Sequence, residues 1–355
     1  AFYSMVNDSN ASVNGTFNVT NTNTLNDKTH RFISYNPYNV VTQGIEVTFN
    51  GTLNLAGAPT GNSVLVGAEH QLLYGNSSGS DSTMLTGSSI FRNSGTINLS
   101  SGRQVIAIMI DSEGTQSPYK SFTINSGTIN IDNTESIGID FGSYGNSPSM
   151  AGTYTAGDLA GKPYTGYPHV EVQPGNINVN GSQNYGIRAQ NLSNLGLDYY
   201  KYSFINGSNG VIAVNGTNNV GASFSQYMTP DGSTNPIGNV SNLRIRLNGT
   251  NGVGILRRAD YLASQNADMI LTNANVDLLE FDTAATGGVL IRSDFRNVTL
   301  DRDISVSSGG LNNTVLQSNG LGTSVILNSG RTMTLDSGVS NVTGILSSGN
   351  VVLIN

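Results

Sequence analysis

One phrase recurs along this chain and constrains its fold more than any other feature. Asn93-Ser94-Gly95-Thr96-Ile97-Asn98-Leu99 returns as Asn125-Ser126-Gly127-Thr128-Ile129-Asn130-Ile131. Looser copies stand at Gly51-Thr52-Leu53-Asn54-Leu55, Gly175-Asn176-Ile177-Asn178-Val179, Gly210-Val211-Ile212-Ala213-Val214 and Leu243-Arg244-Ile245-Arg246-Leu247. Degenerate copies follow at Asn275-Val276-Asp277-Leu278, Asp303-Ile304-Ser305-Val306 and Arg331-Thr332-Met333-Thr334-Leu335. Most steps are about 28 to 36 residues, the range of a solenoid in which each repeat contacts only its neighbours.

Within each copy apolar residues alternate with Thr, Asn, Ser or Arg, which is the period of a strand with one side chain in and the next out. About eight residues later a second apolar strand follows. Ile97 leads to Val105-Ile106-Ala107-Ile108, Ile129 to Ile137-Gly138-Ile139, Ile177 to Tyr185-Gly186-Ile187, Ile212 to Val220-Gly221-Ala222 and Ile245 to Val253-Gly254-Ile255. A third precedes the next copy, as in Ser121-Phe122-Thr123-Ile124. Three strands joined by Asn, Gly and Ser corners make one coil. The expected fold is all-β: a single parallel, right-handed β-helix with about three short strands per coil and loop insertions. Roughly eleven coils at strand spacing give a column on the order of 50 Å long. Asn and Gly suit the corners because they tolerate a left-handed backbone.

Residues 1–44 repeat poorly and read as an irregular lead-in, with Thr16-Phe17-Asn18-Val19 an early coil; residues 45–355 read as the β-helix. Insertions interrupt it at 74–89, 141–168, 192–202 and 226–238. Arg258 to Ala267 is the one stretch with helical character, and the last strand, Val351-Val352-Leu353-Ile354, has no cap. Such an end is expected in a segment cut from a longer protein.

Composition narrows the function classes. Glycine numbers 43, asparagine is about one residue in eight, and charged residues are only 11%. The net charge of −7 and only 16 Lys and Arg leave no basic stripe for phosphates, so nucleic acid is not an expected partner. There is no cysteine, no apolar run of spanning length and no charged-then-apolar leader. Asn-x-Ser/Thr triplets such as those at Asn14, Asn50, Asn215, Asn248 and Asn297 follow from the composition alone.

The Asn-Ser-Gly-Thr-Ile-Asn-Ile phrase with its following Gly-apolar strand resembles the passenger region of type V (classical) autotransporter adhesins. In repeat style it is closest to the large fusobacterial outer-membrane adhesins. The resemblance spans about 45 to 355 and is one of repeat style, with no binding motif to carry over. It implies an extracellular segment held at a bacterial cell surface by a C-terminal membrane barrel outside this sequence. It also implies partners such as a host receptor or glycan or the surface of another bacterium, and no membrane contact within the segment.

No catalytic constellation stands out. Asn76-Ser77-Ser78-Gly79-Ser80-Asp81-Ser82 lacks the serine-protease nucleophile pattern, and Asp132 and Asp140 are the best pair of carboxylates for a polysaccharide lyase or hydrolase. His30, His70 and His169 lack ligand spacing and read as solvated loop residues, and Arg257-Arg258-Ala259-Asp260 reads as a solvated charged turn. No cofactor, metal or calcium loop is expected. The binding candidates are the tyrosines of two insertions: Tyr144, Tyr154, Tyr164 and Tyr167 in the first, Tyr199, Tyr200 and Tyr202 in the second. A tyrosine combines a flat apolar body with a polar tip and suits sugars and proteins alike. The leading expectation is a non-catalytic adhesin segment binding through loops. The alternatives are a spacer stalk and a β-helical polysaccharide lyase or hydrolase.

Overall fold

The computed structural model describes residues 3–6, 10–23, 29–36, 45–71, 88–111, 120–142, 152–153, 163–164, 169–189, 203–224, 235, 237–258, 268–294, 296–320 and 323–353. Among them there is no α-helix, only strands and one three-residue 3-10 turn at Gly207–Asn209. The strands stack in parallel and the chain visits three faces in turn, which is a parallel β-helix.

The first face is an eleven-stranded sheet running from Tyr3–Val6 to Val342–Ser347, one strand per coil. The second carries seven strands from Ala11–Val13 to Val240–Ser241, and the third eight strands from Thr16–Thr20 to Val276–Phe281. Thus Thr16–Thr20, the early coil within the lead-in, already pairs with Thr52–Ala56. Beyond Val240–Ser241 the second face restarts as Met269–Thr272, Val298–Asp301, Ser324–Leu327 and Asn350–Leu353, and the third as Ile304–Val306 with Met333–Leu335. At the first of these breaks the Asn235 side chain replaces strand pairing. Its amide donates to the Ile270 carbonyl at 2.8 Å and its oxygen accepts from the Ile270 amide at 3.1 Å.

The repeated phrase sets the register of the third face. Phe17, Leu53, Ile97, Ile129, Ile177, Ile212, Ile245 and Leu279 stand in one column. Leu279, and not a residue of the 275–278 copy, continues it because the pairing shifts by one residue after Leu243. From Leu53 to Ile245 this column is at most 1% exposed. Each such side chain contributes about 1.5–3 kcal/mol of burial.

The first face makes room for these branched side chains. Its strands bend so that two consecutive residues enter the core, Ala107 and Ile108 in one coil. The earlier of the two inward positions is Gly67, Ala107, Gly138, Gly186, Gly221 and Gly254 in successive coils. A Cβ on Gly186 would stand 2.7 Å from Ile212 Cγ2 and 2.6 Å from the Gly221 carbonyl oxygen. Isoleucine on one wall therefore requires glycine or alanine on the other.

Outside the third face, Asn18, Asn54, Asn98, Asn130 and Asn178 form a ladder. Each amide donates to the side-chain oxygen one coil earlier at 2.8 Å. A second ladder runs Asp132, Asn180, Asn215, Asn248 at 2.7 to 3.2 Å.

Candidate functional site

Seven successive coils have a long connection at the same corner, between the first face and the second. These connections lie between Asn36 and Ile45, Gln71 and Ser88, Asp111 and Lys120, Gly142 and His169, Ala189 and Ser203, Phe224 and Val240, and Arg257 and Met269. The next corners, Ser293 to Val298, Ser318 to Ser324 and Ser347 to Asn350, are short. All four expected insertions belong to this series. Tyr144, Tyr154, Tyr167, Tyr199, Tyr200 and Tyr202 lie outside the described residues. The backbone of Tyr164 belongs to Pro163–Tyr164, which pairs antiparallel with Gly152–Thr153.

The outer surface of the first face differs from that of the third. Its first outward column is apolar: Val66, Ile106, Ile137, Tyr185, Val220, Val253 and Val289. All but Val289 belong to two clusters outside the main core, one around Val66, Ile106, Met109 and Ile137, the other around Val220, Val253 and Leu256, with Tyr185 against both. The second outward column carries Glu69, Met109, Asp140, Arg188, Ser223 and Leu256. Arg188 grips Asp140 bidentately at 2.9 and 2.7 Å, and the Asp140 side chain is 1% exposed. Glu69, also buried, pairs with Arg31 and accepts from Ser34 at 3.0 Å.

A groove of about 410 Å³ lies along this surface. Its floor is Val64, Ile106, Ile137 and Tyr185. The corner residues Gln104, Glu135 and Gln183 border it where the strands begin, and Arg188 and Arg258 border it further along them. Arg258 reaches back across two coils to donate to the Tyr185 hydroxyl at 3.1 Å. Arg103 pairs with Glu135. The individual residues were visible in sequence, but only stacking across the insertions brings them together.

Other expectations need correction. His70 is not a solvated loop residue. It lies in the strand Val64–Gln71 with 0% exposure, at an inward position in register with Tyr35 and Ile110. Its Nε2 is 2.6 Å from Ser89 Oγ and its Nδ1 is 2.9 Å from Thr123 Oγ1, and its ring stacks on Tyr35 at 5.0 Å. Burial lowers its pKa to about 3 and raises that of Tyr35 to about 12. The Ser89–His70 contact has the length of a nucleophile–base pair, but it is sealed in the core and Thr123, not a carboxylate, orients the ring. Arg257 is not a solvated turn residue either: it ends the strand Val253–Arg257, fully buried, and donates to the Phe224 carbonyl at 3.4 Å. His30 is exposed as expected, although in a strand, beside Asn23 at 3.2 Å. His169 opens the strand His169–Gln173.

Asp132 and Asp140 do not converge. Asp132 is exposed beyond the third-face strand and accepts from Asn180, whereas Asp140 is held by Arg188 on the first face. Among the described residues no three His, Cys, Asp or Glu side chains are placed to share a metal ion, and no helix is long and apolar enough to cross a membrane. No protein-family model, no curated protein and no solved structure matches this chain.

Proposed function

We propose that this chain is a non-catalytic adhesin segment of the autotransporter-passenger kind, extracellular and held at a bacterial surface, which binds host or bacterial surface ligands on a stiff column. The observation that carries the reading is the common corner of the seven long connections. Per-repeat insertions gathered on one edge of a solenoid are the usual place for binding residues, and a rigid scaffold positions them. Many copies at a surface convert modest affinity into avidity.

The spacer reading has its own support in the third face, where outward asparagines bond to one another. The experiment that separates the two uses the purified chain against a panel of mammalian glycans and cell-surface receptors, with a heat-unfolded control. A saturable response lost on unfolding supports the adhesin, and a blank supports the spacer. Replacing Tyr144, Tyr154, Tyr164 and Tyr167 by Ala then tests the insertion: adhesion falls while thermal unfolding is unchanged. Release of reducing sugar or of unsaturated products from pectin, hyaluronan or alginate would establish the polysaccharide-degrading reading instead.

A further inference from the structure

The corner between the third face and the first holds its central residue in the left-handed region in successive coils. Those residues are Gln104 (φ 57°), Glu135 (φ 51°), Gln183 (φ 59°), Asn218 (φ 56°), Asn251 (φ 54°), Gly287 (φ 64°), Asn312 (φ 57°) and Asn341 (φ 57°). Glycine adopts this conformation freely and asparagine readily, while longer side chains are strained there. The last five coils use only Asn or Gly. The three with Gln, Glu and Gln begin the strands Val105–Asp111, Ile137–Gly142 and Tyr185–Ala189, which supply Ile106, Ile137 and Tyr185 to the groove floor. Strain accepted in those coils and relieved in the others marks side chains kept for what they reach, as at ligand clamps.

Further observations point to the occupant. Gln104 Oε1 is shielded from solvent and accepts no hydrogen bond, so the groove wall offers an unused acceptor. Among the described residues Arg258 forms no ion pair, and its one side-chain contact is the Tyr185 hydroxyl. Arg103 and Arg188 are matched by Glu135 and Asp140, so among the described residues here one positive charge is left over.

The geometry points to a binding groove for a short extended oligosaccharide that carries a carboxylated sugar. It rests on the reading of this chain as a ligand-binding segment and moves the site from the insertions to the column itself. Gln104 and Gln183, two coils apart at about 10 Å, offer amide donors and acceptors to sugar hydroxyls, and the Glu135 carboxylate between them is already held by Arg103. Half-buried Tyr185 gives the apolar face of a sugar ring a surface to lie on, with Ile137, only 5% exposed, packed beside it. The Arg258 guanidinium fits a carboxylate with two parallel N–H donors. An extended peptide is disfavoured because it would add to a sheet edge, whereas the strands under the groove are paired on both sides.

The test is calorimetric titration of the purified chain with 3′-sialyllactose against lactose, and with trigalacturonate against its methyl ester. Saturable binding to at least one acidic member, at least about tenfold tighter than to its neutral partner, is the expected result. Gln183→Asn keeps a residue that favours the left-handed corner and shortens its reach. It should leave the melting temperature unchanged or higher while weakening binding about tenfold. Arg258→Gln should abolish the preference for the acidic sugar, and Tyr185→Ala should remove binding to both. The proposal is overturned if the wild-type chain is blind to all four sugars, or if Gln183→Asn and Tyr185→Ala bind as wild type. A chain that adheres to cells yet ignores these sugars overturns the groove and spares the adhesin reading. One that does neither overturns both.

Discussion

The outer surfaces of the third and first faces are built from the same coils and solve opposite problems. On the third, Asn18 to Asn178 spend their polar groups on one another, so the surface is internally satisfied and monotonous. On the first, isoleucine and valine point outward yet are at most 9% exposed, with Tyr185 half-buried among them, three of the corners carry strained Gln or Glu, and the long connections begin at its far edge. Strand pairing runs unbroken through all eleven strands of the first face, whereas the third shifts register after Leu243 and restarts at Ile304–Val306, so the two differ in what their outward side chains do and not in which one holds the coils together. A solenoid can separate these tasks because neighbouring coils fix one another through any face that remains regular.

Ile129→Asp should have the largest effect on the third face. Ile129 is 0% exposed between Ile97 and Ile177, so a carboxylate there enters a stacked aliphatic column with no partner. The expected loss is several kcal/mol, read as a collapse of the denaturation midpoint. Asp placed next door at Asn130 should cost far less. Equal losses at the two positions would show that the third face has no inside and outside of the kind described.

Gly186→Ala probes the opposite wall. The added methyl meets the Gly221 carbonyl oxygen and Ile212 across the core, so about 1–3 kcal/mol of overpacking is expected from thermal unfolding. If the variant melts with the wild type, the glycine column is not what admits the isoleucines.

His70 sets an acid limit on the first-face side of the core. Its folded pKa, near 3, lies below the usual value of 6.5. Its contribution is therefore complete above about pH 6.5 and is lost as pH falls towards 3, at about 1.4 kcal/mol per pH unit between them. At pH 5 the wild type should have lost about 2 kcal/mol relative to pH 7.5. His70→Gln should flatten that part of the profile, since Gln carries no titrating proton. An unchanged slope in the variant would remove His70 as the cause.

What was legible in sequence follows the same division. The column Ile97, Ile129, Ile177, Ile212, Ile245 and the strand eight residues on could be read because the phrase repeats where every coil meets the same neighbours. The outward ridge could not be read, because Val105-Ile106-Ala107-Ile108 is apolar throughout and alternation says nothing about which residue faces out. Nor could the Ser89–His70 contact, whose residues flank the connection 72–87 and meet only through the register of two faces. Tyr185 reads in sequence as an ordinary strand residue, with nothing to set it above the tyrosines of the insertions. The groove floor is a property of four stacked coils, and no one coil contains it.

The smallest expected effect is the most specific. In the ladder each amide donates towards the earlier coil, so Asn130 gives to Asn98 and receives from Asn178. Asn130→Asp keeps the acceptor and loses the donor, which leaves its oxygen facing that of Asn98. Asn98, Asn54 and Asn18 can answer by turning their amides over, each then donating towards the later coil, because Asn18 ends the ladder. The reversed half-ladder regains its bonds, and the half-exposed position keeps the new charge hydrated. The cost should stay below about 1 kcal/mol. Asn130→Leu removes both donor and acceptor, leaves no reversal that mends the break, and should cost more than Asp in the same denaturation experiment. The reverse order would mean that the third face is held by its aliphatic column alone and that the asparagines merely accompany it.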